Sequence, residues 1–176
     1  MAKKGSSKKS NVIVEEPVAE TKPTTFLHTL FQWNRKKTRT CPVKKFYPDG
    51  SVRAHYVWNK KGEDTAVTQL LYPSGNVKAV CEWNKKKTTT CVRYMYHEDE
   101  LLMAIWDWNK DQSETFPVFI YFSNGKIDQR FEWNKKHTKT CLIEEYYENG
   151  ELKSRYEWNP EHSDTDLVEY HELIED

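Results

Sequence analysis

Apolar and polar residues alternate along this chain in runs of about seven, and the runs return with a fixed period. Val52-Arg53-Ala54-His55-Tyr56-Val57-Trp58 and Ile127-Asp128-Gln129-Arg130-Phe131-Glu132-Trp133 show the two-residue alternation of strands with one face turned from water. Between the runs stand two kinds of turn. Tyr47-Pro48-Asp49-Gly50-Ser51 has Pro and Gly placed for a type I turn closed by a bulge. Tyr72-Pro73-Ser74-Gly75, Phe122-Ser123-Asn124-Gly125 and Tyr147-Glu148-Asn149-Gly150 repeat that chemistry, so the flanking strands form hairpins. The second turn opens on Trp-Asn, at Trp33, Trp58, Trp83, Trp108, Trp133 and Trp158, always 25 residues apart. Thr follows each Trp by seven residues, from Thr40 to Thr165. Six copies in phase define a repeat.

These elements predict an all-β fold: an elongated single-layer antiparallel meander of about twelve strands built from 25-residue hairpin repeats. The segment 26–33 matches only the second strand of a unit and 165–173 only the first, so half-units bound the array. Residues 26–176 therefore form the repeat domain. Residues 1–25, rich in Lys, Ser, Pro and Glu, stand outside the pattern and are expected to be a disordered basic tail. Pairing Tyr47 with Ser51 puts Phe46, Val52, Ala54, Tyr56 and Trp58 on one face, continued by Thr65, Val67 and Leu71. The other face is expected to be polar, carrying Arg53, Lys78, Asp128, Arg130, Lys153 and Arg155.

The turn cores Phe46-Tyr47-Pro48-Asp49-Gly50-Ser51-Val52-Arg53 and Tyr146-Tyr147-Glu148-Asn149-Gly150-Glu151-Leu152-Lys153 resemble MORN-type repeats. The likeness is to the bacterial variant labelled an antitoxin component, and it covers four turns and a degenerate fifth around residues 98–102. The Trp-Asn-Lys-Lys-x-Thr-x-Thr loop replaces that family's second Gly-containing segment, and the chain has only six Gly. The resemblance implies successive hairpins in one sheet, a scaffold or interaction role, and in some members association with lipid.

Chemistry narrows the reading further. The six His share no repeat column or metal-ligand spacing, and the chain has no phosphate loop, nucleophile elbow or Cys-x-x-Cys. No catalytic residue, metal or cofactor is therefore expected. Cys41, Cys91 and Cys141 occupy equivalent positions four strands apart, about 19 Å, beyond disulfide reach and suited to buried thiols. No apolar stretch is long enough for a membrane helix, and the N-terminus lacks a secretory apolar segment, so a reducing, cytoplasmic location is expected.

The formal net charge is zero, yet residues 1–88 carry a surplus of eleven positive charges and residues 89–176 eleven negative. Positive charge gathers in the tail, at Lys3, Lys4, Lys8 and Lys9, and in alternate loops, at Arg35, Lys36, Lys37, Lys85, Lys86, Lys87, Lys135 and Lys136. These are the candidate anion-binding residues, for phosphate, nucleic acid or acidic lipid head groups. Acidic residues in the intervening loops offer neutralisation instead. Mid-chain, Gly gives way to Glu100, Trp106 is an additional Trp, and Met95, Leu101, Met103, Ile105, Phe116, Val118, Ile120 and Phe122 add apolar residues on the normally polar side. An apolar second face needs a cover, which makes this a candidate interface.

The leading expectation is a non-enzymatic scaffold acting by protein–protein contact or head-to-tail self-assembly as a homo-oligomer, since unpaired edge strands template further strands. An anion, nucleic-acid or acidic-lipid binding module is the alternative, and a structural component of a virion or similar particle is a third.

Overall fold

The computed structural model describes residues 28–173. The tail with Lys3, Lys4, Lys8 and Lys9 lies outside the described residues. Twelve strands follow one another: β1 (Thr29–Trp33), β2 (Thr40–Phe46), β3 (Val52–Trp58), β4 (Thr65–Leu71), β5 (Val77–Trp83), β6 (Thr90–Tyr96), β7 (Leu102–Trp108), β8 (Thr115–Tyr121), β9 (Ile127–Trp133), β10 (Thr140–Tyr146), β11 (Leu152–Trp158) and β12 (Thr165–Tyr170). They form one antiparallel sheet in sequence order. β1 and β12 do not pair, so the sheet is open.

Both turn types are built locally. In the Gly turns the Tyr47 carbonyl accepts from the Gly50 amide at 3.0 Å, and the Tyr47 amide donates to the Ser51 carbonyl at 2.9 Å. Gly50 sits at φ 91°, a conformation open to Gly at little cost. Glu100 holds the equivalent place at φ 70°, so the degenerate turn keeps its shape without Gly. In the Trp-Asn turns the Asn side chain acts as a clasp: Asn34 Oδ1 accepts from the Thr38 amide and Nδ2 donates to Thr38 Oγ1, both at 2.8 Å. Asn84 and Asn134 make the same contacts and are buried.

The register differs from uninterrupted alternation. His55 opposes Gln69 but Tyr56 opposes Val67, leaving Thr68 as a bulge; Lys45 opposes Ala54 but Phe46 opposes Val52, leaving Arg53 as another. Both irregularities recur with the repeat. Opposed residues share a face, so each bulge shifts the parity of its strand. One face carries the transverse row Lys45, Ala54, Leu70, Ala79, Met95, Ala104, Ile120, Gln129, Glu145, Ser154 and Tyr170. The adjacent row, on the other face, runs Lys44, His55, Gln69, Val80, Tyr94, Ile105, Phe119, Arg130, Glu144, Arg155 and Glu169. The single aromatic face expected above is thus divided. Tyr56, Trp58, Thr65 and Val67 lie with Ala54, whereas Leu71, next to Leu70 in β4, lies on the opposite face.

The bulges also step the sheet. β3 pairs with β4 along Ala54–Trp58, but with β2 only along Val52–His55. Past that point successive Trp-Asn hairpins meet mainly through side chains, with backbone bonds from the Arg35 amide to the Gly62 carbonyl and from the Lys110 amide to the His137 carbonyl. Thr65 Oγ1 donates to the Pro42 carbonyl at 2.7 Å, Thr165 Oγ1 donates to the Leu142 carbonyl at 3.0 Å, and the Trp133 ring meets Phe116 edge-on at 5.6 Å. Each hairpin therefore covers part of the next. The small side chains Ala54, Ala79, Ala104 and Ser154 are buried beneath their neighbours, which lets a single layer keep a core.

Candidate functional site

Three regions hold the chemistry the sequence points to: the mid-chain apolar patch, the Trp-Asn loops and the two edge strands.

The eight patch residues do not form one surface. Met95 and Ile120 flank Ala104 on one face, while Ile105 opposes Tyr94 and Phe119 on the other, and Phe116 opposes Asp107 there. Met103 and Val118 are bulge residues, and Leu101 and Phe122 lie at the Gly-type turns. Bulges invisible to simple alternation move Met95 and Ile120 away from the side expected for them. Of the eight only Leu101 is strongly exposed.

Face chemistry also changes along the sheet. Central apolar residues Val80, Tyr94, Ile105 and Phe119 give way to alternating charge at Arg130, Glu144, Arg155 and Glu169. Arg130 Nε donates to Glu144 Oε2 at 2.7 Å, and Tyr146 Oη donates to the same oxygen at 2.6 Å. The Arg130 bond above all holds the Glu144 carboxyl below the usual carboxylate range, against a smaller opposing effect of burial. A depressed folded-state pKa adds stability above the unfolded value that is lost as pH falls through the folded one. Glu144→Gln should therefore cost about 1–2 kcal/mol near neutral pH, toward the low end for hydrogen bonds to charged groups because Arg130 is partly exposed. Urea unfolding from pH 7 to pH 3 should show the gap from the parent closing below the ordinary carboxylate range; a pH-independent gap would contradict the ion-pair origin.

The Trp-Asn loops share one edge of the sheet and the Gly turns the other. Residues 34–39 and their five equivalents hold thirteen Lys and Arg against six Asp and Glu, whereas residues 47–51 and their four equivalents hold one Lys against six acids. Arg35, Lys36, Lys37, Lys85, Lys86, Lys87, Lys135 and Lys136 all fall on the first edge. Lys60 and Lys110 join them, because the position two after Trp is cationic in five of six units; that column was legible in the sequence and had been missed by grouping loops as basic or acidic. At the first pair of loops the charges neutralise: Lys36 Nζ meets Glu63 at 3.0 Å and Arg39 meets Asp64 at 2.8 Å. Both pairs are exposed, so each contributes little.

Cys41 and Cys141 are buried, Cys91 is half-buried, and all are unbonded thiols. Burial pushes the thiols of Cys81, Cys91 and Cys141 up, which keeps them protonated and poorly nucleophilic.

Exposed apolar side chains gather at the ends of the sheet. Leu30, Phe31 and Trp33 on β1 and Leu167, Val168 and Tyr170 on β12 account for most of the large exposed hydrophobic side chains among the described residues. Trp33 is 61% exposed, against 9% for its equivalent Trp108; Val168 is 51% exposed, against 7% for its equivalent Ile143. The same repeat positions are buried or half-buried inside the array, and Trp33 and Val168 are exposed on its edge strands. The chain matches no protein-family model and no curated protein sequence.

Proposed function

We propose that the protein is a non-enzymatic β-hairpin-repeat scaffold whose copies join head to tail, β12 of one against β1 of the next. The observation that carries this reading is the bareness of Trp33 and Val168 at positions the repeat elsewhere covers.

Register supports it. Tyr170 stands in the transverse row at the place Lys45 takes beside Ala54, and Thr29 stands in that row beside Lys45. A second copy placing Thr29 against Tyr170 continues the row without a break. The preceding hairpin that Trp33 lacks would then be the last hairpin of the neighbour. Charge supports it as well: strand order follows sequence, so the cationic half lies toward β1 and the anionic half toward β12. Unlike ends attract and like ends repel, which selects head-to-tail over head-to-head contact. The Gly-turn resemblance to MORN-type hairpins agrees with a scaffold role.

Sedimentation velocity over a concentration series tests this. Mass should grow with concentration in steps of the 21.0 kDa chain. Association should weaken as the Debye length contracts from about 10 Å at 0.1 M salt to about 3 Å at 1 M. A single 21.0 kDa species at every concentration and salt would overturn the proposal.

A further inference from the structure

Between the third, fourth and fifth Trp-Asn loops lies an open cavity of about 720 Å³, lined by Lys85, Lys110, Lys135 and Lys136 with Trp108 and Asn109 among the remaining residues. We propose that it binds a soluble anion carrying several phosphate groups in a row, an activity independent of head-to-tail assembly.

The loops around it are tied together. Asn84 Nδ2 donates to the Gln112 carbonyl at 3.2 Å, joining the third loop to the fourth, and the Lys110 amide donates to the His137 carbonyl at 2.9 Å, joining the fourth to the fifth. The buried Trp108 is part of the lining. The lysines thus project from a frame that exists before any ligand arrives, which lowers the entropic cost of binding.

Their charge is uncompensated. None of the four makes an ion pair among the described residues. The lining holds one carboxylate, Asp107, and Arg93 already engages it at 2.6 Å. The crevices on either side differ. That between the second and third loops is about 250 Å³ and includes Glu63, and that between the fifth and sixth is about 390 Å³ and includes Glu161. Of the three, only the large one presents lysines from three loops; Glu63, like Asp107, is already engaged by a cation, whereas Glu161 makes no ion pair among the described residues.

Spacing selects the ligand class. Successive hairpins advance by two strand spacings, roughly 10 Å, so Lys85, Lys110 and Lys135 form a line rather than a cup. One orthophosphate meets one or two of them. The flexible four-carbon stems of Lys85 and Lys135 let their ammonium groups close in on a chain of phosphates seated at Lys110, so such a chain meets all three and its charge-assisted contacts add.

Calorimetric titration of the full chain with tripolyphosphate and with orthophosphate, at matched ionic strength, tests the proposal. The expected result is one tripolyphosphate per chain, bound about tenfold or more tighter than orthophosphate, as added charge-assisted contacts imply. The triple variant K85Q/K110Q/K135Q should lose about tenfold of that affinity, while K60Q/K61Q on the neighbouring crevice keeps it. The ammonium groups of these lysines make no hydrogen bond or ion pair among the described residues, and the Lys110 backbone bond survives substitution, so circular dichroism and the sedimentation profile should match the parent. Equal binding of the two anions, or equal losses in the two variants, would mean a diffuse positive edge and would overturn the site. Absence of tripolyphosphate binding also overturns it; if a single-stranded oligonucleotide then binds through the same lysines, the edge is a nucleic-acid surface instead.

Discussion

Trp33→Glu should hold the protein at one 21.0 kDa chain across concentrations where the parent associates. Inside the array Trp133 meets Phe116 of the preceding hairpin, and Trp108 is covered almost completely. At the head-to-tail joint the equivalent Trp33 is the side chain with most apolar surface to bury. A buried interface Trp of this kind commonly carries about 2 kcal/mol or more, so the dissociation constant should rise by about thirtyfold at least. The carboxylate also meets the acidic end of the neighbour, which adds repulsion. Because Trp33 is bare in the single chain, the variant should unfold within about 0.5 kcal/mol of the parent, as exposed substitutions do. Val168→Lys should weaken association from the other end, and mixing the two variants should restore one joint, between the intact β12 of Trp33→Glu and the intact β1 of Val168→Lys, giving dimers that grow no further. Sedimentation profiles of Trp33→Glu that overlay the parent would remove β1 from the interface.

Asn84→Ala should lower unfolding stability by about 2 kcal/mol, whereas Asn109→Ala should cost less than about 1 kcal/mol. Both Asn clasp their own loop: Asn84 Oδ1 accepts from the Thr88 amide at 2.9 Å, and Asn109 Oδ1 accepts from the Ser113 amide at 3.0 Å. The surroundings differ. Asn84 is 5% exposed and also bonds Gln112 in the next loop, so its removal strands a shielded amide and breaks a link between repeats. At the exposed Asn109 clasp water replaces the lost partner. Neighbouring repeats stabilise one another through such interfaces, so the loss should spread to both hairpins. Hydrogen exchange gives a local check: the Thr88 amide should lose protection in Asn84→Ala. Equal destabilisation by the two variants would show that burial is not the deciding factor.

Much of this architecture is legible in the residue pattern. Trp-Asn, Thr and Gly recur at fixed offsets, and each acts within a few residues of itself. Gly50 closes its turn through Tyr47, and Asn34 closes its loop through Thr38. Interactions that short are written in consecutive residues, so strand number, turn positions and sequential order follow from the chain alone. The facing of side chains was half legible. Tyr56 and Trp58 share a face with Val67 and Thr65 as alternation requires, but Leu71 does not, because Thr68 is skipped in the ladder. Nothing local in Thr68 marks it as a bulge; the choice is made by which backbone groups pair across strands.

The same limit governs the candidate sites. Cations in the Trp-Asn loops are visible in the sequence, yet their surroundings differ along the edge. Lys36 and Arg39 find acids in the next loop, and Lys85, Lys110 and Lys135 surround a cavity instead. Residue type and spacing were enough to define a repeat, its hairpins and its opposed halves of charge, whereas the openness of the sheet is set by β1 and β12 remaining unpaired. Tertiary structure alone decided which Trp is covered, which lysine is paired and which apolar residues share a surface. Those depend on the step between hairpins, and that step is set by bulges and contacts between residues some 25 positions apart.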